Sequence, residues 1–169
     1  SLSTKFSQEQ TNFDAEVKAS IEEIKGDLLR TLDGETETLV AMAVNNQELK
    51  DHLNNLVRNT VTISVKERLI PRIEKYLKRV TSTINAEAMG DVHISFNYDP
   101  DELNTGIVSS VVAITAGTLL GGPVLGLILH FIAKYINGKK VEEAKQRFRM
   151  TLKSEVYPKI MEDVGQTID

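Results

Sequence analysis

The stretch Leu103–Ala133, LNTGIVSSVVAITAGTLLGGPVLGLILHFIA, runs for about thirty residues without a Lys, Arg, Asp or Glu, and Gly121-Gly122-Pro123 divides it almost in half. An unbroken apolar helix of that length would span a bilayer, but each half has only about fourteen residues, roughly 21 Å at the 1.5 Å helical rise. Neither half crosses a hydrocarbon core alone. The stretch therefore reads as a hairpin of two short apolar helices, either buried inside protein or dipped into one leaflet of a membrane.

Working outward, Asp99-Pro100-Asp101-Glu102 is a good helix start, with Asp99 as N-cap, proline at the first position and acids near the positive end of the helix dipole. Within the hairpin Ser109, Ser110, Ala113, Ala116, Gly117 and Gly121 form a line of small residues, and Gly117 to Gly121 and Gly122 to Gly126 fit the small-xxx-small pattern of closely approaching helices. The remaining residues are apolar on every side, unlike a helix with one face in water. Asn137-Gly138 suits the end of the second half, and Lys134, Lys139, Lys140, Lys145, Arg147 and Arg149 follow directly. A closing helix carries Val141, Ala144, Phe148, Leu152, Val156, Ile160, Val164 and Ile168.

Upstream, Phe6, Phe13, Val17, Ser20 or Ile21, Ile24, Leu28 and Leu32 draw a narrow stripe along one long amphipathic helix, which Asp33-Gly34 interrupts. A second stripe runs through Leu39, Met42, Leu49, Leu53, Leu56, Thr60 and Val61 toward Ile70, with Asn45-Asn46 as a kink. Pro71 breaks or bends that helix, and Ile73, Leu77, Val80 and Ile84 continue the stripe to a stop near Met89-Gly90. Leu69-Ile70-Pro71-Arg72-Ile73 echoes Val156-Tyr157-Pro158-Lys159-Ile160, as two helices of one bundle with similar kinks would. One segment has strand period: Val92, Ile94, Phe96 and Tyr98 alternate with polar residues. With no partner strand in the chain it is an extended linker, an edge that pairs with another chain, or a turn of helix.

The fold expected is all-α, an elongated antiparallel bundle with a central apolar hairpin. As one helical domain it divides into long amphipathic helices over 1–90, a linker over 91–102, the hairpin over 103–137 and the closing helix over 138–169. With no initiator Met and no signal pattern, the chain is expected to be a fragment of a larger protein. The long stripe over residues 6–32 and the unpaired strand-like segment favour self-association, a dimer at the least.

A net charge of −4 and a pI near 5.5 argue against a nucleic-acid partner, and the absence of cysteine excludes disulfides and thiolate metal sites and points to the cytoplasm. Basic charge is concentrated in 66–79, with six bases against two acids, and in 134–149. His52, His93 and His130 are too scattered for a zinc site. Gly121 and Gly126 have Walker A spacing, but Leu127-Ile128 stands where Lys and Ser or Thr belong, and no Gly-x-Ser-x-Gly elbow exists. Glu22, Glu23 and Asp27 read as a solvated face rather than an acid/base pair. No catalytic residue, cofactor site or metal site is expected.

The order of long amphipathic helices, apolar hairpin, basic step and closing helix FRMTLKSEVYPKIMEDVGQTI resembles the C-terminal helical part of bacterial dynamin-like GTPases. The resemblance implies that Ile107 to Ile136 correspond to the family's lipid-touching paddle, with Ile107, Val111, Leu119, Leu120, Gly121, Gly122, Pro123, Val124, Leu125, Leu127 and Ile128 in contact with the membrane. Lys134, Lys139, Lys140, Lys145, Arg147 and Arg149 would then hold anionic headgroups. It also implies a cytoplasmic chain peripheral to the membrane, acting in membrane binding or remodelling without catalysis of its own. A GTPase domain would belong to the same parent protein, because the P-loop is missing here. Two other readings stay open: a helical-bundle interaction module with the hairpin as core, and an α-helical pore-forming toxin.

Overall fold

Two runs of apolar residues in this chain keep a strict spacing of four: Leu49, Leu53, Val57, Val61, Val65 and Leu69, and Ala144, Phe148, Leu152, Val156, Ile160 and Val164. All twelve side chains are buried. In a regular α-helix a four-residue spacing drifts about 40° around the axis at each step, so neither run could stay on one face. The computed structural model, which describes residues 2–44, 46–87, 106 and 141–168, shows how they do. Each run passes through one turn of π-helix, Val65–Leu69 in the first and Leu152–Val156 in the second. The extra residue in the turn sets the stripe back by about 100°.

Among the described residues all but Glu35 are helical, and there is no strand. In order they form α1 (Leu2–Gly34), α2 (Thr36–Ala41), a 3-10 turn (Met42–Val44), α3 (Asn46–Ser64), α4 (Ile70–Glu87), α5 (Val141–Thr151) and α6 (Tyr157–Ile168). The π-turns join α3 to α4 and α5 to α6 without a break. Each precedes a proline. Pro71 and Pro158 lack an N–H, and in a regular helix their rings would meet the carbonyl four residues back. Ile70 N–H instead bonds to Val65 O, and Tyr157 N–H to Leu152 O, five residues back in both cases. The helix is thus already widened where the proline enters. Pro71 therefore does not end the helix, and the echo between the two proline segments is one device used twice.

α1 lies against α3 and α4 along one flank and against α6 along another, and α2 meets α5. Ile24, Leu28 and Leu32 of α1 join Leu39 and Val40 of α2 and the two four-spaced runs in one apolar core. Where α1 ends, its last carbonyls lack N–H donors from the next turn. Glu35 N–H serves Thr31 O (3.1 Å) and Leu32 O (3.2 Å). Leu32 O also lies 2.9 Å from Thr36 Oγ1 and 3.0 Å from the buried Tyr157 hydroxyl, which are 2.7 Å from each other. Two hydroxyl protons serve three contacts, so one contact is always without its own proton. The knot fixes the start of α6 to the bend between α1 and α2. Glu35 is further tied to α3, its Oε2 lying 3.4 Å from His52 Nε2.

Full burial stops at Ser20 on α1 and at Ile70 on α4. Beyond those points, among the described residues, 2–19 and 71–87 pair as a two-helix arm about 25 Å long at the helical rise, with Val17 and Ile73 at its root packed against the core. Its side chains from the predicted stripes, Phe6, Phe13, Val17, Ile73, Leu77, Val80 and Ile84, are half-buried. The strand-like segment 92–98, the linker over 91–102 and the hairpin over 103–137 lie outside the described residues, apart from a helical and exposed Gly106.

Candidate functional site

The membrane-contact residues expected from the sequence, Ile107 to Ile128, all lie outside the described residues, as do Lys134, Lys139 and Lys140. The other three expected headgroup ligands fall on α5. Lys145 is half-buried and Arg147 exposed. Arg149 is turned back onto α2, where its Nε and one terminal nitrogen lie 2.6 and 2.8 Å from the two carboxylate oxygens of Glu37. That hydrogen bond lowers the Glu37 pKa below its ordinary value. No helix among the described residues is long and apolar enough to cross a membrane.

What the structure does assemble is a charge ladder along the seam between α1 and α4. Arg79 sits 3.1 Å from Glu9 and 3.2 Å from Glu16, Arg72 2.8 Å from Glu23, and Arg68 3.7 Å from Glu23 and 3.3 Å from Asp27. The numbers rise along one helix as they fall along the other, so α1 and α4 run in opposite senses. Arg72 also donates to Ser20 Oγ at 2.7 Å and to Glu16 O at 3.1 Å. The buried Ser20 hydroxyl lies 3.0 Å from the Arg68 carbonyl, inside the π-turn, and 3.0 Å from Glu16 O. Below the ladder Phe13 and Tyr76 stack with ring centroids 4.2 Å apart.

These contacts correct the reading of Glu23 and Asp27 as solvated. Glu22 does point to solvent, with 74% of its side chain exposed, whereas Asp27 retains only 18%. The difference is the register of the π-turn and α4, which bring Arg68, Arg72 and Arg79 over one face of α1 and leave Glu22 outside it. Burial alone would raise the Asp27 pKa, but the Ser64 hydroxyl, 2.5 Å away, and the Arg68 and Arg30 guanidiniums outweigh it and hold it below the usual 3.8. The hydrogen bond to Asp27, followed by its charge, raises Arg68. A carboxylate held ionised in this way is a poor proton acceptor, so Asp27 fits an anchor and not a general base.

The groove beside it, about 270 Å³ and lined by Asp27, Arg30, Thr31, Thr60, Ile63, Ser64 and Glu67, is small for a ligand site. Among the described residues no three His, Cys, Asp or Glu side chains converge as a metal site would require. The ladder had a signal in the sequence. Glu9, Glu16 and Glu23 are seven residues apart, as are Arg72 and Arg79, the spacing of facing charges on paired helices. The candidate site is thus the arm: two paired helices with a half-covered apolar stripe, bridged by arginine–carboxylate contacts. Compared with known protein families, known proteins and solved structures, the chain matches none.

Proposed function

We propose that this chain is the stalk and membrane-contacting module of a larger dynamin-like GTPase, acting in assembly and membrane binding with the nucleotide chemistry supplied by another domain of the same parent. The observation that carries the reading is the arm. An uninterrupted pair of helices, stiffened by ion pairs, extends past the apolar core, and the chain leads from its α4 end at Glu87 toward the apolar run. A stalk transmits force and needs such a lever, whereas a small enzyme does not. The ladder's pairs are part-buried and cross from one helix to the other, so they set how the two helices face each other.

A soluble interaction module is the second reading, favoured by Arg149, which is spent on Glu37 instead of being presented to headgroups. Co-sedimentation of the full chain with anionic vesicles at low salt separates the two. The membrane reading expects binding that is lost when Leu119, Leu120 and Val124 are replaced by Asp, with helical content by circular dichroism unchanged. If the unsubstituted chain ignores vesicles and the triple variant unfolds, the hairpin is core and the interaction module stands.

A further inference from the structure

We propose that α4 beyond Pro71 is itself a membrane-contacting helix, half covered by α1 and able to swing off it about the π-turn onto an anionic lipid surface. The proposal shares with the reading above only the class of partner; the residues are different.

Taken alone, α4 is a basic amphipathic helix. Ile73, Leu77, Val80 and Ile84 make its apolar stripe, and over Ile70–Glu87 it carries four bases, Arg72, Lys75, Lys78 and Arg79, against two acids, Glu74 and Glu87. That is the composition of helices that lie in the plane of an anionic membrane interface. In the structure α1 covers the stripe only in part, since all four residues remain half-buried. Lys75 and Lys78 are exposed, while Arg72 and Arg79 are held by Glu16, Glu23 and Glu9. The glutamates occupy the arginines as headgroup phosphates would, and one guanidinium does not fully serve both. Opening of the arm and binding of the surface are therefore linked. The widened helix at Val65–Leu69 supplies the pivot, because full burial ends at Ile70, and opening gives up the contact that Ile73 makes with the edge of the core.

The chain has no cysteine, so Phe13→Cys with Tyr76→Cys, the stacked pair, places one unique thiol on each helix for joining with a short bis-maleimide. Locking the arm of the full chain is expected to weaken binding to phosphatidylserine vesicles by about tenfold or more at low salt, relative to the unlinked double variant. Equal binding by the two forms overturns the proposal, as does an unlinked form that does not bind. A lock that changes sedimentation while leaving vesicle binding alone assigns the stripe to a second copy of the chain, which also overturns it. Should the cysteine variant fail to fold, Lys75→Glu with Lys78→Glu decides, since both side chains are exposed: several-fold weaker binding is expected, and unchanged binding refutes. Adding the Leu119, Leu120 and Val124 to Asp changes separates the two membrane readings. Lock-sensitive binding that survives them leaves α4 and removes the hairpin. Binding that they abolish, and that the lock does not affect in their absence, leaves the hairpin and removes α4.

Discussion

Replacing Tyr157 with Phe removes one hydroxyl from the most enclosed polar knot described in the molecule, and the geometry sets what that costs. The side chain is fully buried, so the ring and its packing remain in the variant. Thr36 Oγ1 keeps Leu32 O at 2.9 Å, and Glu35 N–H keeps it at 3.2 Å, so no buried carbonyl is orphaned. The loss is that of an ordinary hydrogen bond with a surviving partner, about 1 kcal/mol. Thr36→Val should cost a similar amount, because the tyrosine still reaches Leu32 O. Two protons already serve three contacts, so the double variant should cost less than the sum, a coupling of about 0.5 kcal/mol or more. Tyr157→Ala is a different change, opening a cavity worth about 3–5 kcal/mol.

Urea unfolding followed by circular dichroism, with a constant m value across the unsubstituted chain and the four variants, measures all of these. A Tyr157→Phe loss above about 2 kcal/mol, or strictly additive single variants, would refute the reasoning. The same residue carries a pH signature. Burial raises the phenol above its ordinary 10.0, so the unfolded chain releases this proton first. Its contribution is complete below about pH 10 and is lost as pH rises toward the folded value, a decline that Tyr157→Phe should flatten.

Two further outcomes follow from the seam and from α6. Asp27 is depressed below 3.8, so its contribution is present above the unfolded value and is lost as pH falls through the folded one; Asp27→Asn should flatten acid unfolding below about pH 4, and an unchanged acid limb in chemical denaturation would contradict this. Gly165 is buried in α6, and an added Cβ would lie 2.4 Å from Lys25 Cε and 3.6 Å from Ile21 Cγ2. The nearer atom is the movable end of a lysine, so Gly165→Ala should fall between neutral and about 1 kcal/mol more stable through helix propensity, and a thermal melt showing clear destabilisation would mean that the lysine is fixed.

Much of the fold was legible from periodicity. The stripes through Ile24, Leu28 and Leu32 and through the closing helix are core, because a helix that must bury one face has few ways to arrange its apolar residues. The π-turns were legible in principle and missed. A run of apolar residues at an unvarying spacing of four, ending at a proline, conflicts with regular α-helical geometry, and the conflict itself was the signal. Glu23 and Asp27 were misread for another reason: whether an acid faces water or an arginine depends on which distant helix lies over it, and local sequence does not contain that register. Arg149 is the same case, a base that looked outward until α2 was placed beside it. Of the candidate site, the hairpin was read from composition, whereas the arm appears only when the end of full burial on α1 is set beside the end on α4.

The charge ladder has one property that matters for how the arm finds its alignment. Glu9, Glu16 and Glu23 repeat every seven residues, and so do Arg72 and Arg79. Sliding one helix past the other by a heptad, about 10 Å, would offer the arginines another set of glutamates. Like two combs of equal pitch, the charges specify spacing and leave position undetermined. Position comes from what does not repeat: the Ser20 hydroxyl lodged against the Arg68 carbonyl, and the Ser64 hydroxyl on Asp27. Two small hydroxyls, with the buried Ile24 and Leu28 beside them, mark a single notch that evenly pitched charges alone would not distinguish.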